Sequence, residues 1–227
     1  SACLVGSEMC IRDRLHIFLL STAGTFLLCT PFINTVELAN GLVTGKMCWF
    51  HLAMLFFSVC VFFVMLTKKG TVIAFTFSDP LVLFFAGGVL ITYKWNLNPE
   101  PEKLIFAGQL VILWFLLRYV LTAYREFKFF FLFVLMFTGL IEAVWGMQQL
   151  HGYSHSNHSL FRLTGSFFNP GPYSGYIAVI LPVCLWTALR FQKGMHYFAW
   201  ICVGAILIVL PAGMSRSAWI AAVVACG

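Results

Sequence analysis

The chain has 227 residues, of which 61% are hydrophobic and 10% charged, and its mean hydropathy is +0.91. Soluble domains run at about 45–50% apolar and about 25% charged, so the composition excludes a soluble globule, and its apolar content equally excludes a disordered chain. The net charge of +6 is not gathered into a basic block, so no nucleic-acid partner is expected. A helical span needs roughly 20 apolar residues, which leaves room for about seven or eight spans with short loops. The expected fold is therefore all-α: a polytopic membrane helix bundle of about seven complete transmembrane helices and a truncated eighth.

Residues 1–14, SACLVGSEMCIRDR, lack an initiator Met and the apolar core of a signal peptide. The string VGSEMCIRDR resembles translated sequencing-adapter read-through, so 1–14 is set apart as a non-native leader and 15–227 as the membrane domain. Apolar runs follow at Leu15–Asn34, Met47–Thr67, Pro80–Tyr93, Leu104–Thr122, Phe129–Leu150, Tyr173–Phe191 and His196–Met214. An incomplete run starts at Ser217 and is still apolar at Gly227, which reads as a chain cut short. The third run holds Gly87 and Gly88 and is expected either to pack closely on a neighbour or to re-enter the membrane. Asp79-Pro80 marks a helix start. The eight cysteines form no CxxC and lie mostly in apolar runs, so they read as small hydrophobic residues, with a Cys29–Cys48 pair as a minor alternative.

Loops after even-numbered runs hold Lys68, Lys69, Arg118, Arg125, Lys128, Arg190 and Lys193. Loops after odd-numbered runs hold Lys46, Lys94, Lys103, Arg162 and Arg216. The positive-inside rule places the larger, clustered set in the cytoplasm. The loops at 35–46, 94–103, 151–172 and 213–217 then face outward.

In so apolar a chain each ionisable group near the bilayer needs a reason. Arg162 and Arg216 stand on the outer side, both beside tight turns. A guanidinium there suits bidentate phosphate binding; it equally suits an interfacial anchor, and spacing leaves both readings open. The segment from Arg162 to Tyr176 is sharply turned by Gly165, Pro170, Gly171 and Pro172. Asn169 precedes a proline and is held extended, and Pro172 fits the first turn of the next helix. The amides there suit an anion or simply cap a span. Glu142 is an acid deep in a long span, with Arg162 or Arg216 as candidate partner; a structural pair is favoured over a proton relay. Gln148 and Gln149 end that span and offer amides to a headgroup or sugar. His151, His155 and His158 would align for a metal on a helix, but Gly152 and the serines favour a solvated loop. His51 and His196 are expected to be buried and hydrogen-bonded.

The stretch RLTGSFFNPGPYSGYIAVILP, with a Ser-Arg dipeptide at the outer end of the next span, resembles the O-antigen ligase and polymerase superfamily. Its Arg–x–x–Gly–(Thr/Ser)–Phe–x–Asn–Pro turn corresponds to Arg162, Gly165, Ser166, Phe167, Asn169 and Pro170. Its Ser–Arg–(Gly/Ser) element corresponds to Ser215, Arg216 and Ser217. AVWGMQQLHG resembles the Gly–x–x–Gln segment that precedes the turn. The resemblance covers about residues 139–224.

It implies a bacterial inner-membrane enzyme acting at the periplasmic face without metal or nucleotide cofactor. The donor is a glycan on undecaprenyl pyrophosphate. The acceptor is a hydroxyl on lipid A–core, on another repeat unit, or on a protein. Arg216 takes the catalytic role, stabilising charge on the leaving pyrophosphate. Arg162, Gly165, Asn169, Tyr173, Ser215 and Gln149 form the substrate site, with Glu142 as a charge partner. The family's catalytic histidine lies beyond the equivalent of Gly227, so the chain is expected to be inactive alone. A repeat-unit polymerase is the alternative within this chemistry; a multi-pass transporter or a non-catalytic assembly protein are alternatives from other classes.

Overall fold

The computed structural model describes residues 2–35, 41–68, 76–96, 99–213 and 215–226, with side chains from residue 11 onward. Lys69, Met214, Gly227 and the side chains of Cys3 and Cys10 lie outside the described residues. The described chain is helical, with no strand. The elements are α1 (Ala2–Leu28), a 3₁₀ turn (Thr30–Phe32), α2 (Gly41–Thr67), α3 (Ser78–Trp95), α4 (Pro101–Ala123), α5 (Arg125–Leu150), α6 (Pro170–Arg190), α7 (Gly194–Val209), a second 3₁₀ turn (Pro211–Gly213) and α8 (Arg216–Cys226).

Each of the eight apolar runs lies on one of these helices, with shifted ends. Among the described residues, five helices are long and apolar enough to cross a membrane: α2, α4, α5, α6, and α7 together with the turn that follows it. Their outward side chains are apolar, as at Leu55, Phe62, Val179, Leu189 and Ile208. Water would not tolerate so much apolar surface, and the protein is membrane-embedded. α3 is one unbroken helix of 18 residues, not a re-entrant hairpin. A Cβ at Gly87 or Gly88 would meet nothing within 4 Å, so these glycines mark no close approach.

The chain divides into two compact units. The first comprises Ser1–Leu27 and Cys48–Phe129. Within it Asp79, buried in the first turn of α3, accepts from the Arg118 guanidinium, from Trp114 Nε1 at 3.1 Å and from the Thr76 amide at 2.7 Å. Together with the Asp79 amide, which donates to Thr76 O at 3.0 Å, the last bond closes the turn that starts α3 where Asp79-Pro80 predicted. His16 is buried between the Tyr124 hydroxyl (2.6 Å from Nδ1) and Thr67 (3.0 Å from Nε2). The Thr67 hydroxyl donates to Phe63 O, which assigns the proton of His16 to Nε2 and makes Tyr124 the donor to Nδ1. Burial pushes the Tyr124 phenol up to about 12, in keeping with that donor role. His51 meets Gln109 Oε1 at 2.5 Å, as expected of a hydrogen-bonded intramembrane histidine.

The second unit comprises Leu28–Met47 and Phe130–Gly227. α6 is its centre, packed against α7 and α8 through a core that includes Ile177, Ile180, Cys184, Cys202 and Ile206. α5 approaches α6 closely at Gly139, where a Cβ would meet Ile180 at 2.8 Å. His196 Nδ1 lies 2.7 Å from Ala188 O and ties α7 to the end of α6.

Candidate functional site

The motif residues gather at one end of the second unit. They are held there by polar side chains on the last turns of α5. Gln149 is 3% exposed. Its Oε1 accepts from the amides of Thr164 (2.9 Å) and Gly165 (2.7 Å). Its Nε2 donates to His155 O and Gly165 O, both at 3.1 Å. This amide is thus occupied by the loop backbone, whereas the sequence had offered it to a sugar.

Glu142, fully buried two turns earlier, accepts from the Ser166 amide at 3.0 Å through Oε2. Neither Arg162 nor Arg216 pairs with it; among the described residues the cation that acts on it is Lys46. The expected arginine–glutamate pair is replaced by a backbone bond because the turn brings its own amide to the carboxylate. Gly165 makes this possible. Its φ is +54°, a left-handed conformation costly for a residue with a Cβ. A Cβ there would also run into Glu142 Oε2 and the Tyr173 ring.

The turn is braced from two further sides. Asn157 Nδ2 donates to Gly165 O (3.3 Å) and Phe167 O (3.1 Å). Ser166 Oγ donates to Pro31 O at 2.6 Å, and Lys46 Nζ donates to the same carbonyl and to Ile33 O at 2.9 Å. Lys46 also faces the Phe167 ring, 5.6 Å from its centroid. Sequence reading counted Lys46 only as a loop charge, took Asn157 only as a sign of loop, and gave Pro31 and Ser174 no role. A lysine in the first two turns of an apolar helix was the available signal.

α6 begins where the turn ends. Asn169 adopts extended backbone and its side chain accepts from the Gly171 amide at 3.0 Å, an N-cap with Pro170 at the first helical position. Pro172 sits in the first turn, as predicted. Tyr173 is fully buried, and its hydroxyl donates to Glu142 O at 3.2 Å. The hydroxyl occupies the space a Cβ on Gly146 would need. Ser174 Oγ donates to Gly213 O at 3.2 Å and fixes the second 3₁₀ turn against α6. Ser215 then caps α8, accepting from the Ala218 amide at 3.4 Å, and Arg216 is the first residue of that helix.

Arg162 and Arg216 are both exposed, and among the described residues neither meets a carboxylate. Arg162 lines a recess of about 260 Å³, whose other walls include Leu160, Pro170, Ala212 and Gly213. The first arginine motif and the turn leading into the second therefore share one cavity. The histidines do not converge. His158 Nδ1 accepts from the Leu160 amide and its ring packs on Phe161 and Phe168. No metal-binding group of His, Cys, Asp or Glu occurs among the described residues. Cys29 and Cys48 both carry free thiols.

The site belongs to a membrane-embedded helical protein that presents two exposed guanidinium groups, neither paired with a carboxylate among the described residues, from a polar-braced end of its second unit. Comparison of the chain with family models, curated proteins and solved structures returns no match.

Proposed function

We propose that the chain forms the donor-binding part of an O-antigen-ligase-like glycan-transfer enzyme. In this reading it lies in a bacterial inner membrane, with α1 and α3 crossing in addition to the five helices named above and the arginines at the periplasmic face. The donor is a glycan on undecaprenyl pyrophosphate. The acceptor is a hydroxyl of lipid A–core or, in a polymerase of the same superfamily, of another repeat unit.

One observation carries the reading. Buried polar side chains that are costly in a membrane are occupied in bracing a turn, and that turn keeps Arg162 exposed at a recess formed with the segment leading to Arg216. Two arginines held near fixed backbone match a pyrophosphate leaving group. Charge develops on that group as the acceptor oxygen bonds to the anomeric carbon and the carbon–phosphate oxygen bond breaks. Guanidinium groups already in place stabilise it without reorganising. Acceptor deprotonation needs a general base, and the reading gives that role to none of His151, His155 and His158. The acid inside a span, which favoured a transporter, bonds the turn through Oε2, while its Oε1 is buried with no partner among the described residues.

The test is binding of geranylgeranyl pyrophosphate to the purified chain in detergent. Arg162→Ala and Arg216→Ala should each weaken binding at least tenfold with an unchanged melting temperature. Wild-type affinity in both variants would return the arginines to the role of interfacial anchors.

A further inference from the structure

The loop between α5 and α6 carries apolar side chains on its outside while several of its polar ones turn inward. Ser156 Oγ donates to Phe161 O at 2.5 Å, Asn157 bonds the carbonyls of Gly165 and Phe167, and Thr164 and Ser166 are buried. Leu160, by contrast, is 82% exposed, Phe168 43% and Phe161 38%. The three form one patch. The His158 ring packs on Phe161, with centroids 4.8 Å apart, and on Phe168 at 5.7 Å. The Leu160 amide donates to His158 Nδ1 at 3.1 Å and joins them. A loop standing in water has no reason to hold large apolar side chains together on its surface.

The depth of the patch follows from the helix it adjoins. α6 is long and apolar enough to cross a membrane, and its 21 residues, Pro170–Arg190, span about 31 Å at 1.5 Å per residue. That matches a hydrocarbon layer of about 30 Å. Arg190 then stands at one boundary of the hydrocarbon and Pro170 at the other. Phe168 lies just outside Pro170 in the chain, and Leu160 and Phe161 line the same recess as Pro170 and Leu150, the last residue of α5. The patch is therefore level with the lipid headgroups, the layer in which amphipathic and aromatic side chains concentrate. Arg162, exposed beside Phe161, brings positive charge to the level of the lipid phosphates.

We infer that residues 158–168 form a membrane-interface seat, with Leu160, Phe161 and Phe168 lying between the headgroups and the acyl chains of the leaflet at this end of the second unit. Phospholipid covers the patch. The hydrogen bonds on the inner side of the loop hold the seat in shape, so the turn that carries Arg162 is supported by the bundle on one side and by lipid on the other. This does not rest on the donor reading, and no pyrophosphate enters its test.

The experiment places the purified full chain in vesicles made of equal amounts of phosphatidylcholine and phosphatidylglycerol. One sample carries phosphatidylcholine with a diazirine at the head of its acyl chains, and a second receives a water-soluble diazirine. Light turns each into a carbene that inserts into neighbouring bonds, and mass spectrometry locates the adducts. The lipid probe should label Leu160 and Phe168. The water-soluble probe should label both at least fivefold less in vesicles than in the urea-unfolded chain. Phe168→Glu should cut lipid adducts at Leu160 at least threefold while Trp145, on α5, keeps its own; Leu160→Glu should do the same at Phe168. Labelling of Leu160 and Phe168 by the water-soluble probe alone would show a loop standing in water and overturn the seat. Labelling by neither probe would show protein covering the patch and overturn it equally. Unchanged lipid adducts in both variants would show that the residues do not share one seat.

Discussion

Replacing Gln149 by Leu removes the brace of the Arg162 turn while keeping volume and membrane compatibility. The loss leaves the amides of Thr164 and Gly165 without the oxygen they share, and both residues are buried. A buried donor left unsatisfied costs about 1–3 kcal/mol, so the pair costs about 2–6 kcal/mol. The turn escapes most of that cost by opening to water, so the penalty appears as a lost free energy of local closure and not as global unfolding. At 1.4 kcal/mol per factor of ten, the lower bound corresponds to roughly thirtyfold more open turn. Hydrogen–deuterium exchange reads this directly. In Gln149→Leu the peptide covering 160–168 should exchange roughly thirtyfold faster or more, while a peptide from the middle of α7 keeps its rate. Unchanged exchange in 160–168, or an equal acceleration in both peptides, would refute the brace.

Gly165→Ala should cost about 1–2 kcal/mol for the left-handed backbone and about 1–3 kcal/mol for crowding Glu142 and Tyr173. The melting temperature should fall and exchange at 160–168 should rise; a melting curve that overlays the wild type would contradict the geometry. Gly146→Ala should destabilise because the new methyl displaces the Tyr173 hydroxyl, and adding Tyr173→Phe should recover part of the loss. Fully additive losses in the double variant would show that the two positions do not meet.

Hydropathy located the helices because each long apolar run must satisfy its backbone internally in a membrane. It misplaced their ends for identifiable reasons. α5 starts at Arg125, four residues before its apolar run, because charged residues extend a helix without raising hydropathy. α1 stops at Leu28 inside an apolar run because Pro31 redirects the chain into a 3₁₀ turn. Pro211 does the same after α7. Around the site, turn chemistry made the Asn169–Pro170 helix start legible. The partner of Glu142 was not, because it is a main-chain amide, which every residue but proline carries and no pattern of side chains marks. Gln149 was singled out as a polar residue at a span end, yet only the fold shows that its donors and acceptors face the loop. Lys46 was missed for the converse reason: its partners are the carbonyls of Pro31 and Ile33.

The bond between Glu142 and Ser166 also has a direction in time. The carboxylate precedes its donor by 24 residues, so at about 5–20 residues per second it waits roughly one to five seconds during synthesis for the partner that will hold it. Throughout that interval α5 carries an acid whose mature environment does not yet exist. The membrane-insertion machinery must therefore accept this helix on the strength of its apolar residues alone, with the turn arriving later to close over the carboxylate.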